Sequence, residues 1–189
     1  MTERAAPRRR PPPRATKRRP SLVLVNTGDG KGKTTAALGT ALRAAGAGWR
    51  VTVIQFLKSG RWKTGEEQAA RRLGIDWWSL GDGFTWDSTD MDETEARARA
   101  AWQTAKEAIA GGAYQLVVLD EATYPVTWGW IDEADVVEAI RVRPDHVNVI
   151  VTGRDASPGL LELADTATEM VKRKHAFDGG VKALKGIDF

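Results

Sequence analysis

Residues 26–35 read NTGDGKGKTT, in which Gly28, Gly30 and Gly32 alternate with Asp29 and Lys31 and run into Lys33, Thr34 and Thr35. Residue types in this order suit a polyphosphate. Glycines carry no Cβ, so the chain can take up positive φ and press its N–H groups against an anion. A helix opening near Lys33 adds its dipole and unpaired amides. Lys33 can reach the outer phosphates, Lys31 supplies a second cation inside the loop, and the hydroxyl of Thr34 or Thr35 can hold Mg²⁺. The candidate nucleotide contacts are therefore Asn26, Thr27, Gly28, Asp29, Gly30, Lys31, Gly32, Lys33, Thr34 and Thr35. The usual phosphate-loop spacing is G-x-x-x-x-G-K-[ST]. Counting back from Gly32 puts Thr27 where the first glycine should stand, and Gly28 comes one place late.

A second pair of chemical groups is Asp120-Glu121, which ends the apolar run YQLVVLDE. A carboxylate at the end of a buried strand can hold Mg²⁺ directly or through water, and either residue serves. Thr152-Gly153-Arg154 ends another apolar run, VNVIV, so Arg154 can face phosphate, with a surface arginine as the plain alternative. The two histidines, His146 and His175, lack a nucleophile and a carboxylate in triad spacing.

These groups need elements to hold them. Leu22–Val25 is an apolar strand, the loop follows, and Ala/Leu at helical spacing continues to Gly46 and Gly48. Val51–Phe56 is nearly continuously apolar, as in a strand buried on both faces of a parallel sheet. Leu57–Glu67 is then expected as a strand-end loop with Lys58, Arg61, Trp62 and Lys63, or as a helix approach in which Thr64 caps Glu66–Leu73. Ile75–Leu80 is a third strand, and it runs into GDGFTWDSTD with Phe84 and Trp86. A helix capped by Asp90 or Asp92 ends at Gly111-Gly112 and buries Ala98, Trp102, Ala105 and Ile109. Tyr124–Ile131 is expected as an aromatic loop, and Asp132 as the start of a helix stopped by Pro144. Val147–Val151 is a further strand, Leu160–Ala164 a short helix and Thr166–Lys174 a last strand, before a Gly- and Lys-rich tail.

The pattern predicts an α/β fold of P-loop NTPase type with recombinase-like layout: a mostly parallel sheet, helices on both faces, one domain over residues 21–189. The chain has 189 residues and no cysteine, which excludes disulfides, thiolate metal sites and redox dithiols. No run approaches a bilayer span and the N-terminus lacks the apolar middle of a secretory signal, so a cytoplasmic protein is expected. Its net charge of +3 is unevenly spread. Residues 1–20 hold eight Lys/Arg against Glu3, leaving 20 basic and 24 acidic residues in the remainder. With five of the eight prolines and little to bury, this basic arm is expected to be disordered. A solvated tail is favoured over an arm for nucleic acid, and ordering over a neighbouring active site is a third option.

Taken together, NTGDGKGKTTAALGTALRA, VIQFLKSGRWKTGE, GDGFTW, VVLDE, VTGR and KHAFDGGVKALKGIDF resemble, in content and order, the P-loop corrinoid adenosyltransferases of cobalamin biosynthesis. The likeness runs from about Leu22 to Phe189 and includes the shifted loop at Thr27/Gly28. It implies transfer of the adenosyl group of ATP to the Co(I) of a corrinoid such as cob(I)yrinic acid a,c-diamide, with release of triphosphate. It implies Lys33 as catalytic, Thr34 and Glu121 as Mg²⁺ ligands with Asp120 as the alternative, and Phe84 and Trp86 as rings against the lower corrin face. Trp62 joins them as a corrinoid contact. A homodimer and an external flavoprotein reductase are also implied. A P-loop hydrolase or kinase is the competing class, and it would leave GFTW and the C-terminal tail idle.

Overall fold

The computed structural model describes residues 18–59, 64–81 and 91–188. It is a three-layer α/β fold built on one six-stranded sheet, in which every strand pair is parallel. In chain order the elements are β1 (Val23–Thr27), α1 (Lys33–Gly46), β2 (Val51–Ser59), α2 (Gly65–Arg72), β3 (Asp76–Gly81), α3 (Met91–Ala110) and β4 (Leu116–Asp120). Then follow α4 (Thr123–Thr127), α5 (Glu133–Arg141), β5 (Asn148–Thr152), α6 (Pro158–Leu163), β6 (Thr166–Glu169) and a 3-10 turn over Ala176–Gly179. The strands lie in the order β3-β2-β4-β5-β1-β6.

Continuous apolar runs in the central strands reflect burial on both faces. In β4, Leu116 and Val118 face one core with Ala37, Ala41 and Ala44 of α1 and Ala70 of α2. Val117 and Leu119 face the other, with Trp102, Ala105 and Ile109 of α3, Val136 and Ile140 of α5 and Leu160 of α6. The stripe read from the sequence of α3 is thus its buried face, and Trp102 is core. Its indole N–H donates to Asp135 of α5 at 2.6 Å. Among the described residues no helix is long and apolar enough to cross a membrane.

Three expectations shift. β2 extends past Phe56 to Ser59, and α2 starts at Gly65 with the Thr64 hydroxyl accepting the Glu67 N–H, so the helix approach holds and the strand-end loop is shorter than expected. Tyr124–Ile131 is not all loop: α4 occupies Thr123–Thr127. Pro125 sits in its first turn, where no intrahelical N–H bond is needed, so proline does not forbid the helix. β6 stops at Glu169 rather than reaching Lys174. Among the described residues it is an edge strand paired with β1 alone, and β1 ends at Thr27, so beyond Met170 that ladder does not continue. Finally, residues 1–17, 60–63 and 82–90 lie outside the described residues, and with them the disorder expected of most of the arm and the placements of Trp62, Phe84 and Trp86. At the end of the arm Arg19 pairs with Asp165 at 2.7 Å.

Candidate nucleotide site at the strand ends

Ligands of open parallel sheets sit beyond the carboxyl ends of the strands, where the chain reverses direction across the sheet. Here β1, β4 and β5 end side by side, and their last residues bring together the loop after Thr27, the Asp120-Glu121 pair and Gly153-Arg154. The loop, Lys58, Glu121, Tyr124 and Arg154 line one cavity of about 870 Å³.

The loop is shaped by two glycines in the left-handed region, Gly28 at φ 93° and Gly32 at φ 115°. Gly30 is present for a different reason from the expected positive φ. Its N–H donates to the Met170 carbonyl at 2.6 Å, and a Cβ there would fall 2.6 Å from that oxygen. That amide therefore points to the chain leaving β6. Gly32 is the N-cap of α1, and Lys33–Thr35 form its first turn, where amides have no intrahelical acceptor. The Lys33 ammonium arches back over the loop and donates to the carbonyls of Gly28 and Gly30. Burial first, and then the charge of Arg154, hold it below the ordinary lysine range, against the pull of Asp29, Glu121 and Asp120.

Asn26 and Thr27 turn inward instead of toward the cavity. Asn26 donates to the Lys33 carbonyl at 3.4 Å, and the Thr27 hydroxyl accepts the Ala156 N–H at 3.1 Å. Both fasten the loop to its surroundings. Lys31 pairs with Asp188 of the C-terminal tail at 2.8 Å, and Arg154 stands 3.7 Å from Asp29. The approach of Arg154 depends on Gly153, whose absent Cβ would lie 1.9 Å from the Thr123 hydroxyl oxygen.

Asp120 is fully buried. Its Oδ1 accepts from the hydroxyls of Thr34 and Thr152, each at 2.8 Å, and its Oδ2 from Nε2 of Gln55 at 2.9 Å. Glu121 follows at φ 61°, a left-handed turn that swings its side chain out of the strand line toward the cavity. The Thr152 hydroxyl accepts the Glu121 N–H at 3.0 Å, so one threonine ties both acids. Gln55 and Thr152 were not among the residues picked out from the sequence. The one signal is a polar residue within or at the end of an otherwise apolar run.

These groups suit a magnesium ion. The Thr34 proton is committed to Asp120, which leaves the hydroxyl lone pairs for a cation, and the Glu121 carboxylate stands at the same cavity. Among the described residues no cluster of three or more His, Cys, Asp or Glu could cage a metal.

Burial, reinforced by the neighbouring Asp120, pushes the Glu121 carboxyl up from 4.5 to about 7. A raised carboxyl pKa means that the folded state holds the proton more tightly than the unfolded one between these two values. Stability from this group is complete below pH 4.5 and is lost as pH rises toward 7. Without metal or nucleotide, the protein should lose up to about 3 kcal/mol between pH 4.5 and 8 from this group. Glu121→Gln should flatten that slope in denaturant titrations across the range. An unchanged slope would show that Glu121 is ionised as freely as in water.

Residues 19–189 match the family of ATP:corrinoid adenosyltransferases BtuR/CobO/CobP. A corrinoid adenosyltransferase of Escherichia coli K12 is 45% identical over 168 residues, covering 89% of this chain and 85% of that protein. Corrinoid adenosyltransferase CobA of Salmonella typhimurium LT2 is 44% identical over the same length and the same shares. A corrinoid adenosyltransferase of Pseudomonas aeruginosa is 44% identical over 170 residues, covering 89% of this chain and 83% of that protein. A likeness of this extent, spanning the phosphate loop, the paired acids and the tail, makes the chain a member of the ATP:corrinoid adenosyltransferase family.

Proposed function

We propose that the protein transfers the 5′-deoxyadenosyl group of ATP to the Co(I) of a corrinoid, such as cob(I)yrinic acid a,c-diamide, releasing inorganic triphosphate in adenosylcobalamin biosynthesis. The cobalt lone pair attacks C5′ of the ribose, the Co–C bond forms as the C5′–O bond breaks, and the triphosphate departs with the electron pair. Co(I) has no proton to lose, so the reaction calls for no general base. The observation that carries this reading is the family membership joined to a phosphate loop whose Thr34 is already bonded to Asp120.

The protein's task is then to hold C5′ in line with cobalt and to stabilise charge on the departing oxygens. Lys33, the amides of the α1 first turn and Arg154 face the phosphates, with Lys31 joining them on leaving Asp188. Asp120 fixes the Thr34 hydroxyl, and Thr34 and Glu121 would hold the Mg²⁺ that accompanies ATP. Mg²⁺ would neutralise the triphosphate oxygens as their charge grows. Phe84 and Trp86, with Trp62, are assigned to the corrinoid. The first two would exclude an axial ligand from the lower face and so ease reduction of Co(II). The electron would come from a separate flavoprotein reductase, as the family resemblance implies. We further propose a homodimer, and an enzyme that draws on ATP and a protein reductant belongs in the cytoplasm. Residues 21–189 form the catalytic domain in this reading, with 1–20 as a solvated arm.

Incubation with ATP, Mg²⁺ and chemically reduced corrinoid tests the assignment. Triphosphate and a light-sensitive Co–C product are expected, whereas ADP and phosphate would mark a hydrolase or kinase. A sharper test divides redox tuning from binding. Phe84→Ala or Trp86→Ala should slow the reaction from Co(II) with a protein reductant far more than the reaction from supplied Co(I). Equal losses from both starting states would remove the axial-ligand role.

A further inference from the structure

Gln55 is a polar residue in the middle of an apolar sheet. It sits on β2, between β3 and β4, in register with Asp120 on one side and Ser79 on the other, and it is 1% exposed. A buried amide is costly unless its groups are bonded. Both ends are. Nε2 donates to Asp120 Oδ2 at 2.9 Å, while Oε1 accepts from the Trp77 indole N–H and the Ser79 hydroxyl, each at 3.2 Å.

The chemistry of these neighbours leaves the amide one orientation. A carboxylate is an acceptor only and an indole N–H is a donor only. Turned over, Gln55 would set oxygen against the Asp120 carboxylate and N–H against the Trp77 N–H. The Trp77 N–H is shared with the Ser79 hydroxyl oxygen, also at 3.2 Å, and Ser79 could adapt to either orientation, but a flipped amide would still set its N–H against that of Trp77. We infer that Gln55 is a positioning residue for Asp120, locked one way round by Trp77, and that it thereby sets how the Thr34 hydroxyl is presented to the metal of the bound nucleotide. This rests on the reading that Thr34 and Asp120 form the metal side of the site.

The consequence of the lock follows from Asp120's own bonds. Its Oδ1 is shared by Thr34 and Thr152, which pull from α1 and β5, and among the described residues Gln55 alone donates to Oδ2. Without that third donor the buried oxygen is orphaned and the carboxylate is free to turn about its last bond. Thr34 then loses the fixed acceptor that keeps its lone pairs facing outward.

The test is ATP binding by calorimetry on the full chain, run once with Mg²⁺ and once with EDTA, together with Mn²⁺ binding followed by electron paramagnetic resonance. Gln55→Leu should reduce the gain in ATP affinity conferred by Mg²⁺ by about tenfold, as expected for a residue that orients a metal site through a ligand. Its affinity in EDTA should stay close to that of the unaltered protein. Trp77→Phe deletes the N–H and keeps an aromatic ring in the core, so it should move the same quantity in the same direction by roughly threefold. This second variant carries the test if Gln55→Leu does not fold. Equal losses with and without metal, or an unchanged metal gain in Trp77→Phe, would overturn the lock. Thr34→Ala separates the two levels. If it too leaves the metal gain intact, the metal reading itself fails and takes the inference with it. If it abolishes the gain while the Gln55 and Trp77 variants do not, only the lock is wrong.

Discussion

Lys33→Ala is expected to lower adenosyl transfer by at least about a hundredfold while the fold survives, the size seen when one preorganised donor to a developing negative charge is removed. Among the described residues the side chain bonds to the Gly28 and Gly30 carbonyls, at a loop lining the cavity. Its removal therefore deletes no core contact, and the unfolding free energy should change by less than about 1 kcal/mol. Steady-state turnover of Co(I) corrinoid at saturating MgATP, paired with a thermal melt, decides the matter. Near-normal turnover would remove Lys33 from the mechanism, and a collapsed melt would make it structural.

Gly30→Ala should be damaging although Gly30 is not among the glycines at positive φ. The added carbon would sit 2.6 Å from the Met170 carbonyl oxygen and 2.7 Å from its carbon, and both are backbone atoms that cannot swing aside. Crowding of this kind and the loss of the Gly30–Met170 hydrogen bond together destabilise by about 2–3 kcal/mol. For a chain of this size that is roughly a 5–10 °C fall in Tm. The control is Gly46→Ala, at the end of α1 with nothing within 4 Å of the new carbon, which should stabilise by about 0.5 kcal/mol. Similar melts for the two variants would show that the loop yields where Met170 crosses it.

The elements differ in how much of their role is legible in the sequence. The α3 stripe was legible because its spacing alone marks the buried side, and Lys33 because a strand, glycines and a helix surround it in register. α4 was missed because proline and aromatics read as a loop, although position in the first turn is what decides. Gln55 and Thr152 were silent for a deeper reason. One polar residue in VTVIQF or at the end of VNVIVT means nothing until the neighbouring strand is known, and sheet order is a long-range property. The Lys31–Asp188 pair, which links the loop to the end of the chain, is invisible for the same reason.

The side of α1 that lies on the sheet is made of alanine: Ala37 and Ala41 have no exposed surface and Ala44 almost none. These methyls act as shims. Their thickness sets the height of the helix above β4, and hence whether the Thr34 hydroxyl, one turn before Ala37, arrives within 2.8 Å of Asp120. A bulkier shim, valine at Ala37 or Ala41, lifts the helix and opens that gap without touching nucleotide, metal or corrinoid. In a saturation scan these alanines should therefore score like site residues. Their tolerance is set by clearance.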